Sequence, residues 1–212
     1  VHYMYTHDSE VSGNISRGNH IGYAPMFSRG LTVYGNVSDG DRDQGLALNY
    51  LNGSRIENNI VRGAGGKCVF IYNSNKNAFR RNLFKDCGIG IHFTAGSEGN
   101  ALSGNAFVDN RTQVKYVGTR EIEWSESGLG NYWSDNPSFD LDGDGIADAP
   151  YRPNGMIDRV VWAYPMARLL LNSPAVQMLR WAQSAFPAIR PGSVRDSAPL
   201  MVPVMEEALG NG

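Results

Sequence analysis

The sequence predicts an all-β solenoid, a right-handed parallel β-helix that ends in a C-terminal cap and a short helical extension. Three observations predict it. An Asn followed by an apolar residue recurs at Asn14-Ile15, Asn36-Val37, Asn59-Ile60, Asn82-Leu83 and Asn105-Ala106, at separations of 22, 23, 23 and 23 residues. A second apolar column, Val11, Val33, Ile56, Phe79 and Leu102, lies three positions before each Asn. Between these anchors the apolar residues alternate, as in Leu46-x-Leu48, Val69-x-Ile71 and Ile91-x-Phe93, and period two is the signature of strands. A fixed period of roughly 20–50 residues marks a repeat array. Repeats this short and this rich in Gly, Asn and Ser lack the helix formers a helical solenoid needs. One repeat instead holds three short strands and three corners. Stacked coils lie ~4.8 Å apart, close enough for equivalent Asn side chains to hydrogen-bond up the column. The Asn residues are therefore structural.

In chain order, five coils run over 1–21, 22–44, 45–67, 68–90 and 91–113, with one extra residue entering near Thr94-Ala95-Gly96 and a further strand at Val114–Val117. The solenoid is expected over 1–118, an irregular cap with an Asp-rich loop over 119–158, a helical extension over 159–188, and an extended or disordered tail over 189–212. In the cap, Gly130-Asn131-Tyr132-Trp133-Ser134-Asp135 restores the Gly-Asn corner and adds aromatic rings suited to plugging the last coil. Trp162–Leu171 and Pro174–Phe186 have amphipathic helical spacing. Ser173 is placed to cap the second of these helices, with Pro174 at its first position. Four prolines between 187 and 203 argue against packed structure beyond it. The chain opens in mid-strand with Val1-His2-Tyr3, without the polar-faced cap a solenoid end requires. N-terminal coils are therefore expected to be missing, and the lack of a leader has no bearing on export.

A net charge of −2 and a pI near 6.1 lack the basic character of a nucleic-acid binder. No apolar run approaches the ~18–20 residues of a membrane span. The two cysteines, Cys68 and Cys87, fall at different offsets from their nearest Asn anchors, and are expected to be two separate core residues without a disulfide.

Three groups of residues have chemical potential. In the strand that precedes each Asn by 13 to 10 positions, the inward columns are Val1, Tyr23, Leu46, Val69 and Tyr3, Pro25, Leu48, Ile71. The outward columns are His2, Ala24, Ala47, Phe70 and Met4, Met26, Asn49, Tyr72. Met4 and Met26 therefore occupy one column in successive coils, and His2 lies two residues from Met4 on the same face. Two thioethers and an imidazole select Cu(I) over Zn, Ca or Mg; the alternative is two Met residues covering apolar surface beside an incidental His. His7, His20 and His92 are weaker candidates. In the second group, Asp140, Asp142, Asp144 and Asp148 with Gly145 match positions 1, 3, 5, 9 and 6 of a calcium loop, although Tyr151 stands where the position-12 acid belongs. The third possibility, catalysis on a polysaccharide, needs two carboxylates facing one cleft. The outward columns above contain no charged residue, and the acids gather at corners, at Asp39, Asp41 and Asp43. The expectation is a protein that is not an enzyme.

The segments GNYWSDNPSFDLDGDGIADAPYRPN (130–154) and LLLNSPAVQMLRWAQSAFP (169–187), following this repeat grammar, resemble the NosD family over nearly the whole chain. That resemblance implies a periplasmic, non-enzymatic accessory protein in maturation of the copper enzyme nitrous oxide reductase. Such a protein accepts Cu(I) from a copper chaperone lipoprotein and passes it to the apo-reductase beside an ABC transporter, in the service of denitrification. The resemblance also implies that the C-terminal region docks on the transporter, with Trp162, Leu170, Val176, Leu179, Trp181 and Phe186 as candidate contacts. The alternative is a carbohydrate-binding or polysaccharide-degrading β-helix.

Overall fold

The computed structural model describes residues 1–94, 96–153, 164–170, 173–175, 178 and 193–204. The chain is a parallel β-solenoid. Its first coil holds β1 (His2–Met4), β2 (Glu10–Ser12) and β3 (Ile15–Arg17), and its second β4 (Ile21–Arg29), β5 (Thr32–Tyr34) and β6 (Val37–Asp39). The third holds β7 (Gln44–Asn52), β8 (Arg55–Glu57) and β9 (Ile60–Arg62), and the fourth β10 (Lys67–Tyr72), β11 (Ala78–Arg80) and β12 (Leu83–Lys85). The fifth holds β13 (Ile89–Thr94), β14 (Ala101–Ser103) and β15 (Ala106–Val108). β16 (Val114–Val117) begins a sixth turn, followed by β17 (Ile122–Glu123) and β18 (Tyr132–Trp133) in the cap and β19 (Val194–Arg195) in the returning arm.

Equivalent strands pair in parallel to give three walls: β1-β4-β7-β10-β13-β16, β2-β5-β8-β11-β14, and β3-β6-β9-β12-β15-β18. The inward columns Tyr23, Leu46, Val69, Ile91 and Val33, Ile56, Phe79, Leu102 stack into one continuous core. β10 and β13 pair at an offset of 22 residues, whereas β11 and β14 pair at 23, so the extra residue enters between Thr94 and Ala101.

The corner between the second and third walls is held by the Asn column. Each Asn backbone N–H and side-chain Nδ2 donate to the Oδ1 of the Asn one coil on, from Asn14 through Asn36, Asn59, Asn82 and Asn105 to Asn131, at 2.8–3.2 Å. The run ends on an acceptor. Asn131 donates its backbone N–H (2.7 Å) and Nδ2 (3.2 Å) to Oδ2 of Asp196, which also accepts from Trp133 Nε1 (2.8 Å). Burial pushes the Asp196 carboxyl up, and the Trp133 and Asn131 donors offset part of that rise. Asp196 lies in the segment expected to be an extended or disordered tail. Its described part, 193–204, returns to the cap: β19 pairs with β17, Tyr151 and Asp196 exchange backbone hydrogen bonds, and Leu200 bridges to Tyr132 and Ile146. Trp133 is sandwiched between Phe107 (4.3 Å) and Tyr151 (4.6 Å), so the aromatic plug is in place.

The cysteine expectation is wrong. Cys68 and Cys87 form a disulfide, with Cα atoms 5.6 Å apart. Cys68 stacks by register with Gly22, Gly45 and Gly90, and Cys87 with Ala64 and Asn110. The two columns are offset along the chain but face each other around one tight corner. What fills the space between them changes from coil to coil. A Cβ at Gly22 would collide with Asp41, which instead accepts from Ser38 Oγ (2.6 Å), Asn19 N (2.8 Å) and Ser16 Oγ (3.0 Å). In the fourth coil the disulfide takes that space.

Of the first expected helix, the described part is a 3-10 segment, Pro165–Leu170; Pro174 does open helical residues. The bridge closes a loop of 19 residues, and a loop of that size is expected to contribute about 3 kcal/mol. Urea unfolding of a Cys68→Ala/Cys87→Ala variant should show that loss; an unchanged midpoint would remove the bridge from the account of stability.

Candidate metal-binding face

The candidate copper residues sit on the first wall. β1 pairs with β4 so that His2 lies against Ala24, Tyr3 against Pro25 and Met4 against Met26. Tyr3 packs against the core, which sends its neighbours His2 and Met4 outward. Met4 is 44% exposed and Met26 partly buried. The two Met residues are thus one strand spacing apart, ~4.8 Å, and His2 is about 7 Å along the strand from Met4. The two thioethers are register partners in neighbouring coils, and the imidazole lies further along the same face, with no carboxylate among their register partners.

The same outward columns continue along the solenoid. The His2 column runs through Ala24, Ala47, Phe70 and His92 to Lys115, and the Met4 column through Met26, Asn49, Tyr72 and Thr94. His92 is therefore in register with Phe70 and 5.2 Å from its ring. It is remote from His2, three strands beyond Ala24. Desolvation, then the charges of Lys115 and Lys67, lower its pKa to about 4. His7 bridges to Arg29 at a corner, and His20 is an exposed residue of the corner before β4.

The Asp-rich loop brings together three of its four candidates. Carboxylate oxygens of Asp140, Asp142 and Asp144 lie within 4.8 Å of one another. Asp148 is turned aside, its Oδ2 accepting from the Leu141 N–H at 2.8 Å. Asp140 accepts from Gly143 N (2.7 Å) and Gly145 N (2.9 Å), and the Gly145 bond leads in holding its carboxyl below the ordinary value. Asp142 accepts from the Asp144 N–H, which lowers its pKa; crowding by the Asp144 and Asp140 carboxyls outweighs this and raises it on balance. Tyr151, at the twelfth position, donates its hydroxyl to Asp135 (2.7 Å).

A cavity of about 360 Å³ between the last coil and the cap is lined by Phe93, Glu98, Tyr116, Arg120, Glu121 and Glu123, among others. Its three carboxylates pair with Arg120, Arg152 and Arg195. Of the candidate transporter contacts, Leu170 is exposed, together with Tyr164, Met166 and Leu169. Trp162, Val176, Leu179, Trp181 and Phe186 lie outside the described residues.

Fold and face together define a β-solenoid with two stacked thioethers and an imidazole on its outer wall. The family profile described as "Periplasmic copper-binding protein (NosD)" matches residues 1–138. Two proteins named "Probable ABC transporter binding protein NosD" are similar. The one from Pseudomonas aeruginosa is 51% identical over 187 residues, covering 82% of this chain. The one from Stutzerimonas stutzeri is 49% identical over 193 residues, covering 84% of this chain. The chain belongs to the NosD family and spans 44% of the length of each of these relatives.

His92 generates a prediction for this wall. Its lowered pKa means that it stays neutral through the whole range in which an ordinary imidazole takes up its proton. Any stability tied to its neutral form is present above pH 6.5 and is lost as pH falls towards about 4. In a two-dimensional NMR titration, His92 should stay neutral until the pH approaches about 4; a midpoint near 6.5 would contradict its burial beside Phe70 and Lys115.

Proposed function

We propose that this chain handles Cu(I) in the periplasm, accepting it from a copper chaperone lipoprotein and passing it to apo nitrous oxide reductase beside an ABC transporter. The observation that carries the proposal is the pairing of Met4 with Met26 on the exposed face, with His2 two residues away. Membership of a family described as periplasmic and copper-binding supports it. Thioether and neutral imidazole donors suit Cu(I). The stacked coils fix the sulfur spacing without enclosing the metal, so an incoming ligand can reach it and exchange is associative. The transporter partnership rests on the names of the relatives and on the exposed apolar side chains of 164–170, which are suited to burial against another protein. The role is a carrier's and not an enzyme's. Glycoside hydrolysis needs one carboxyl kept protonated near neutral pH. In the acidic cavity, the Arg152 hydrogen bond lowers the Glu121 pKa; burial would raise that of Glu123, but bonds from Ser125 and Ser197 lower it on balance.

Titration with Cu(I) under anaerobic conditions, against a chromophoric competitor, tests the copper site. A Met4→Ala/Met26→Ala variant should bind at least about tenfold more weakly, about 1.4 kcal/mol, with unchanged thermal stability. Equal affinity would reject these ligands.

A second reading concerns the Asp140–Asp144 loop, where the crowding that raises the Asp142 pKa is the kind of repulsion a divalent cation relieves. With the twelfth-position acid absent, calcium affinity is expected to be weak, with a Kd on the order of 10⁻⁴–10⁻³ M. Thermal melts should rise by a few degrees at millimolar calcium and fall back with chelator. An unchanged midpoint would leave the loop as a set of Asx turns.

A further inference from the structure

Each coil turns several corners through left-handed backbone. Three of these positions are held mainly by Gly, Asn and Asp from coil to coil, as in Gly13, Gly35, Asn58, Arg81 and Gly104, or Gly18, Gly40, Gly63 and Asp86; Arg81 and Lys76 are the long side chains among them. The remaining column is different. It is occupied by Tyr5 (φ 53°), Phe27 (φ 47°), Tyr50 (φ 52°) and then Asn73 (φ 44°). Bulky side chains are disfavoured in this conformation, whereas Gly and Asn adopt it readily. The first three coils therefore place aromatic residues where the fold would be more comfortable with Asn, as in the fourth.

The rings do not pack into the core. Tyr5 is 70% exposed, Phe27 39% and Tyr50 42%. They stack on one another, at 5.5 Å between Tyr5 and Phe27 and 5.1 Å between Phe27 and Tyr50, and Tyr72 meets Tyr50 edge-on at 6.0 Å. The result is an apolar ridge parallel to the solenoid axis. Each ring directly follows a member of the outward column of Met4, Met26 and Asn49, so the ridge runs alongside the sulfur pair. A protein that exchanges Cu(I) with Met4 and Met26 has to bring its own ligands within bonding distance of the same ion. It therefore covers the adjacent surface, and the ridge is part of that surface.

We infer that Tyr5, Phe27 and Tyr50 form the docking ridge for the protein that exchanges Cu(I) with the Met4/Met26 pair. This inference rests on the copper reading above. The partner it fits is a Cu(I)-carrying protein whose metal-bearing face is apolar and rich in thioethers, since sulfur packs well against exposed rings. The exchange is a transfer of the same Cu(I) ion from one set of sulfur and nitrogen donors to another, with no change in oxidation state.

The test uses a Phe27→Asn/Tyr50→Asn variant, which keeps a residue type that already holds this turn at Asn73. Wild type and variant are loaded with Cu(I) from two sources: a small-molecule Cu(I)–bicinchoninate complex, and the soluble form of the periplasmic copper chaperone charged with Cu(I). The expected result is equal affinity and equal loading from the small molecule, with protein-to-protein transfer slowed at least about tenfold in the variant. Equal transfer rates from the chaperone would overturn the ridge while leaving the copper site standing. Equally reduced loading from both sources would also overturn it, placing the rings in metal binding. A wild type that takes Cu(I) from neither source would reject the copper reading first, and the ridge with it.

Discussion

The structure depends on keeping its coils in register, and the hydrogen-bonded Asn column does this at one corner. Every Asn in the run donates both its backbone N–H and its side-chain amide to the next coil, so the chain of bonds has a direction. A directional chain of donors ends on an acceptor. Asp196 is that acceptor, and its backbone also pairs with Tyr151 of the cap. Buried polar groups that lose their partners cost ~1–3 kcal/mol each, so the last coil depends on a residue 65 positions beyond Asn131. The returning arm is thus part of the solenoid's closure.

Register has a direct consequence on the outer wall. A slip of one residue in β1 or β4 would exchange inward and outward faces, burying a Met and exposing Tyr3 or Tyr23. The Asn column and the core columns together make that slip costly, and so they also hold Met4 beside Met26. The spacing of Met4 and Met26 is here a by-product of coil packing.

Much of this was legible in the sequence because the period is constant. The strands, their order, the inward and outward columns and the extra residue near Thr94 all follow from the 22- and 23-residue spacing. What was missed lies where distance along the chain and distance in space part company. Cys68 and Cys87 differ in offset, but a tight corner folds those two offsets against each other. The arm around Asp196 has a strand of two residues among prolines, too short for any periodicity to register. Asp148 matched the spacing of a calcium loop, yet a free backbone N–H at Leu141 was a nearer partner for its carboxylate. The aromatic ridge did have a signal: Tyr5, Phe27 and Tyr50 recur at the repeat period, one position after Met4, Met26 and Asn49.

The central claim is that coil register sets two thioethers and an imidazole around one Cu(I) ion. Copper K-edge absorption on the anaerobically loaded protein measures that ligand set directly. The account predicts a Cu(I) edge with two sulfur scatterers and a nitrogen scatterer, and a fall from two sulfur scatterers to one in Met26→Ala. A spectrum without sulfur, or one that Met26→Ala leaves unchanged, would contradict it.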